Sequence, residues 1–285
     1  MTEYKGAHYE QAEFDRQFNP RMFAEDPDSV PARRAVLSDA LRERRPHVLG
    51  LAYGEREREF VDVFPADNPD APVLIYFHGG YWRAGSAREN NYMAEPFVDA
   101  GACIAVVNYD LCPTVPIGTV VAQARTAIGW IAETIGAHGG DASRLFLLGH
   151  SAGAHLVAMA LADETGAVPH DAVIGAAVVA GIYDLDPVVR AEVNDEIGIQ
   201  PDDVDPFSPL NNPPRAQTPV IVAVGLAESK EWVRQSRLYE DCATAAGCPV
   251  ERIDFPDADH YRPLFDMIQS DDPLRAAILK RMGLA

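Results

Sequence analysis

The chain is poor in cysteine. Its 285 residues include four, Cys103, Cys112, Cys242 and Cys248, and no two form a Cys-x-x-Cys pair. A disulfide framework or a thiolate-rich zinc site is therefore not the expectation. No His-Glu-x-x-His occurs either, and no metal is expected. Apolar runs as long as ~18 residues are missing, so no membrane-spanning helix is expected. The N-terminus has neither a basic start nor an apolar stretch, which reads as unexported and cytoplasmic. Basic residues are scarce: 24 Lys and Arg against 43 Asp and Glu leave a formal net charge of -19. Such a surface repels polyphosphate, so nucleic acid and anionic membrane are poor partners.

An ordinary apolar content of 47% remains, spread in a regular pattern. Short buried strands such as "APVLIYF", "ACIAVV", "RLFLLG", "AAVVAG" and "PVIVAVG" alternate with helical stretches. This predicts an α/β fold, a mostly parallel sheet with helices on both faces. "SARENNYMAEPFVDAG" reads as a helix stopped by Gly101, and "REREFVDVFPA" as an exposed, edge-like strand that leaves a homodimer open. Residues 1–50 read as a polar extension, helical in patches. The Asp- and Pro-rich segment 186–216 is long for a connection and reads as a lid. The whole is expected to be a single domain, 1–285, with residues 1–50 and 186–216 forming a small cap on a catalytic core from 51 onward.

Within "LFLLGHSAGAHLVAMALA", Gly149-His150-Ser151-Ala152-Gly153 fits Gly-x-Ser-x-Gly between a strand and a helix. That is the setting of a nucleophile elbow, with Ser151 exposed at the strand's carboxyl end. A serine hydroxyl is a weak nucleophile and needs a base, oriented in turn by an acid. His260, in the loop after the last strand, is the expected base, ahead of His155 and His170. Glu228 is the first carboxylate after "PVIVAVG" and is the expected acid; Glu231, Asp184, Asp257 and Asp259 are weaker alternatives. "FHGGYW" follows an early strand, where its backbone completes an oxyanion hole. Gly80 and Tyr81, with Ala152, are the expected donors, and His78 is expected to be structural. Trp82, Tyr183 and Tyr261 are candidates for the wall of an aryl pocket.

"HGGYW", "GHSAGAH", "GGDASRLFLLG" and "ESKEWVRQS" together resemble the kynurenine formamidase (arylformamidase) branch of the α/β-hydrolase fold, which is related to the hormone-sensitive-lipase-like esterases. The resemblance implies a metal-free, cofactor-free serine hydrolase that removes the formyl group of N-formylkynurenine and often cleaves aryl esters. It assigns Ser151 as nucleophile, Glu228 as acid, His260 as base and "HGGYW" as the oxyanion loop. Better-known members carry aspartate as the acid, so Glu228 is a departure. The partner it implies is a small aromatic amide or ester. A carboxylesterase for small or aryl esters would use the same residues, and a ligand-binding relative with little turnover is the reading from another class.

Overall fold

The computed structural model describes residues 2–4, 6–215, 217–269 and 271–285. A small antiparallel hairpin, β1 (Thr2–Tyr4) and β2 (Ala7–Tyr9), opens the chain. The remaining strands are β3 (Val48–Ala52), β4 (Phe60–Phe64), β5 (Ala71–Phe77), β6 (Cys103–Val107), β7 (Gly140–His150), β8 (Val173–Val179), β9 (Val220–Gly225) and β10 (Val250–Phe255). They form one eight-stranded sheet in the order β10-β9-β8-β7-β5-β6-β4-β3. Pairings are parallel from β10 to β6 and antiparallel at β6–β4 and β4–β3.

The apolar runs explain the centre of this sheet. Every residue of β5, β6 and β9 is buried. A strand covered by helices on both faces needs no polar alternation. The helices Ile117–Thr134 and Ala152–Leu161 cover it with small and branched side chains, including Val120, Ala124, Ala127 and Ile128. Parallel pairing also brings the carboxyl ends of β5, β7, β8 and β9 to one rim, where ligands bind in open α/β sheets.

Two expectations need correction. The strand at residue 60 is not an edge: β4 lies between β3 and β6, and Val61, Asp62 and Val63 are all fully buried. Buried Asp62 accounts for the apparent alternation. It accepts from Gly50 N at 2.9 Å and Asn91 Nδ2 at 3.1 Å, and pairs with Arg88 at 3.0 Å. The edge strand on that side is β3. The segment after β5 is a 3-10 turn, Arg88–Ala94, running into a single α-turn, Glu95–Val98, rather than a continuous helix. Asn90 and Asn91 hydrogen-bond back to the carbonyls of Ser86 and Ala87, which favours the tighter winding. The N-terminal extension begins as the hairpin before its helices Gln11–Gln17 and Val30–Arg44.

Candidate active site

The last residue of β7, His150, is followed by Ser151 at φ 56° and ψ -120°, after which the chain enters the helix Ala152–Leu161. Such a backbone is strained for a residue with a Cβ and persists only where its surroundings fix it. Ser151 N donates to Val179 O at 2.8 Å, and the flanking glycines do the rest. A Cβ on Gly149 would lie 2.3 Å from Gly153 O, and one on Gly153 would lie 2.0 Å from Phe77 O. Strand, turn and helix can cross this closely only without those side chains.

The loop after β5 packs onto the same turn. A Cβ on Gly79 would meet His150 O at 3.0 Å and Ser151 Cβ at 3.1 Å, so its backbone runs against the serine. Gly80 follows at φ +127°, and Tyr81 and Trp82 both take left-handed backbone, at φ 54° and 55°. Gly80 O accepts from Arg83 N and Ala84 N, each at 3.1 Å, which locks the reversal. Among the described residues no backbone carbonyl accepts from the N–H groups of Gly80, Tyr81 or Ala152. His78 is fully buried, stacks on Tyr109 with centroids 4.3 Å apart and bonds Gly79 O through Nδ1 at 2.8 Å. Burial pushes its pKa down to about 3, so it stays neutral and holds the loop.

The turn after β9 supplies Glu228 and the turn after β10 supplies His260. Gly225 ends β9 where a Cβ would lie 2.2 Å from Ala258 O, so the two turns are in van der Waals contact. His260 Nδ1 and Glu228 Oε2 are 2.6 Å apart, with both side chains buried. Glu228 Oε1 accepts from Gly225 N at 3.3 Å. Trp232 stands edge-on to the His260 ring with centroids 5.1 Å apart, and its Nε1 donates to Ala180 O at 2.7 Å. The His150 ring is 4.6 Å from that of His260, and one of its nitrogens lies 2.8 Å from His260 O. Burial raises the Glu228 pKa and, with the Arg34 guanidinium, lowers that of His260. Both shifts disfavour the charged pair of carboxylate and imidazolium in the resting site.

Of the alternatives, Glu231 is buried in the helix Lys230–Ala245 and takes the phenol hydrogen of Tyr9. Asp184 accepts from Tyr4 at 3.2 Å. Asp259 caps the following turn through Tyr261 N and Arg262 N, at 2.9 and 3.0 Å. Asp257 lines a surface depression away from the serine. His155 bonds Phe207 O at 2.7 Å and His170 bonds Asp163 O at 2.9 Å.

Ser151 and His260 open onto one cavity of about 390 Å³. Gly79, Gly80, Tyr81 and Tyr261 also line it. Trp82 and Tyr183 do not. Trp82 is fully buried, edge-on to His155 at 4.8 Å, and Tyr183 stacks on Tyr239 at 4.3 Å. Both are core residues, so their expected place in the pocket is withdrawn. The residues that sequence reasoning missed come from the N-terminal segment: Asn19, Pro20, Arg21, Val30, Pro31 and Arg34 line the same cavity as the serine. Insertion 186–216 contributes Val193. Tyr81 Oη donates to Phe18 O at 2.8 Å and Ser229 Oγ to Gln17 O at 2.6 Å, which fastens the segment to both catalytic-side loops. Among the described residues no cluster of three metal-ligating side chains occurs and no helix is long and apolar enough to cross a membrane.

A family model for the α/β-hydrolase fold matches residues 74–262. A kynurenine formamidase of Salmo salar is 32% identical over 288 residues, spanning 95% of this chain and 96% of its own. One of Danio rerio is 30% identical over 301 residues, spanning 99% of each. Among solved structures, a candidate thioesterase of Silicibacter sp. TM1040 superposes with a TM-score of 0.81 at 25% identity, covering 93% of this chain and 98% of its own.

Proposed function

The chain belongs to the kynurenine formamidase branch of the α/β-hydrolase family, and from that premise we propose that it is a serine hydrolase removing the formyl group of an N-formylkynurenine-like arylamide. The observation that carries the reading is the buried 2.6 Å bond between Glu228 and His260, with His260 and Ser151 facing one cavity. His260 Nε2 takes the Ser151 proton as Oγ attacks the formyl carbon. The N–H groups of Gly80, Tyr81 and Ala152 receive the oxyanion, a contribution of about 3 kcal/mol per donor in such sites. The imidazolium then returns its proton to the arylamine nitrogen as the C–N bond breaks. Water, deprotonated by His260, cleaves the formyl ester and releases formate.

The N-terminal segment acts as a cap on this cavity, and the small aromatic substrate needs no metal or cofactor. Four free thiols suit a reducing compartment, the cytoplasm. Cleavage of small or aryl esters is a second reading, since ester and amide share the acyl-enzyme route. Turnover of N-formylkynurenine and of p-nitrophenyl acetate by the same preparation separates the two. The formamidase reading expects the higher kcat/KM on the formamide; turnover confined to the ester overturns it.

Protonation gives a further test. Arg34 disfavours the imidazolium of His260. Taking away that positive charge raises the histidine's pKa, so the acid limb of kcat/KM moves to higher pH in Arg34→Met. An unmoved limb, or one displaced to lower pH, contradicts the placement of His260 as base.

A further inference from the structure

Three arginines line the cavity, and they differ in their partners. Arg21 is paired with Asp28 and Arg83 with Glu196. Arg34 has no carboxylate or carbonyl acceptor among the described residues. The residue as a whole is half-buried, but its charged end is enclosed and its Nε is buried without a partner. What surrounds the guanidinium is phenolic: Tyr76, Tyr92 and Tyr261. The Tyr92 hydroxyl is hydrogen-bonded to the guanidinium, the Tyr76 hydroxyl is buried with no partner, and the Arg34 Cζ stands 5.8 Å from the Tyr261 ring centroid. That ring in turn meets His260 edge-on at 5.2 Å. The cation is thus one aromatic ring away from the expected base and lines the same cavity as Ser151.

An arginine does not escape burial by losing its proton. A desolvated guanidinium with phenol neighbours but no counter-ion is costly, and the cost is recovered when an anion arrives to form two parallel charge-assisted hydrogen bonds. The remainder of the protein opposes such an anion, with a formal net charge of -19. A lone positive fork inside the cavity is the feature that makes an anionic substrate acceptable.

We propose that Arg34 binds a carboxylate carried by the leaving-group half of the substrate, so that the enzyme selects carboxylate-bearing aryl amides or esters over neutral ones. The assignment rests on the hydrolase reading above and deepens it by naming the substrate class and the residue that reads it.

Two matched series test it at pH 8.5: formanilide against 2- and 3-formamidobenzoate, and phenyl acetate against 2- and 3-acetoxybenzoate. The wild type is expected to favour at least one carboxylate isomer over its neutral parent by about 10- to 100-fold in kcat/KM, the range of one charge-assisted contact. Arg34→Met should bring that ratio to about one, mainly through KM, while Arg34→Lys keeps part of it. Absence of any preference in the wild type overturns the proposal, as does its persistence in Arg34→Met. If no formamide is cleaved but the esters are, the formamidase reading fails while the ester series still reads Arg34. Neutral fluorophosphonate labelling of Ser151 checks that both variants are folded. Should Arg34→Met not fold, the wild type alone decides: benzoate must compete with the neutral ester more tightly than benzamide, and equal competition overturns the proposal.

Discussion

Ser151→Ala is expected to lower kcat by about 10⁵- to 10⁶-fold on the best substrate while leaving the protein folded. The side chain lost is a single oxygen, and the neighbouring geometry does not depend on it. Ser151 N still reaches Val179 O, and Gly149 and Gly153 still allow the crossing of strand, helix and β5. Without Oγ no acyl-enzyme forms, and the remaining amides and cavity offer only weak catalysis by solvent water. Steady-state kinetics with a thermal melt settles the matter. Turnover within a hundredfold of the wild type, in a sample free of wild-type carry-over, would remove Ser151 from the reaction.

Glu228→Gln should cost about 10⁴-fold in kcat with little loss of stability. Glu228 is isosteric with glutamine, so packing beneath Gly225 survives. The chemistry does not. A carboxylate oxygen accepts Nδ1–H and leaves Nε2 lone-paired toward Ser151. A carboxamide turned to donate its NH₂ to Nδ1 forces the proton onto Nε2, and the base faces the serine already protonated. Because the 2.6 Å bond is buried, no water steps in as a substitute acceptor. The discriminating measurement is kcat of Glu228→Gln beside that of Glu231→Gln. Glu231 belongs to the Tyr9 contact, so its neutralisation should affect stability more than kcat. A reversed order would hand the role of acid to Glu231.

Legibility in the sequence followed steric demand. At the elbow two backbones approach so closely that only glycine fits, and Gly149 and Gly153 announced the turn before any fold was known. The order of serine, acid and histidine along a parallel sheet then pointed to Glu228 and His260, because the carboxyl ends of successive strands share a rim. The two aromatic misreadings share a cause. Trp82 and Tyr183 do sit in loops beside the site, but loop position does not say on which side a ring packs. His155 and Tyr239, each from a helix more than fifty residues further along the chain, claimed those faces. The cavity wall from residues 19–34 was illegible for another reason. The helix Val30–Arg44 is polar around most of its circumference, so no periodicity separates the inward Arg34 from the outward Arg33. Asp62 misled in the same way, since a buried carboxylate satisfied by Gly50, Asn91 and Arg88 looks in sequence like a solvent-facing one.

The fastening of residues 17 and 18 to Ser229 and Tyr81 has an evolutionary corollary. If Arg34 selects the substrate as proposed, part of the selecting surface precedes the region 74–262 matched by the α/β-hydrolase family model, apart from the reaction machinery. Exchange of the first three dozen residues would then change substrate preference and, through Arg34, the protonation of His260, while Ser151, Glu228 and the oxyanion loop stay in place. A chimera joining another member's N-terminal segment to residues 74–262 is expected to change substrate preference while still requiring Ser151, Glu228 and His260.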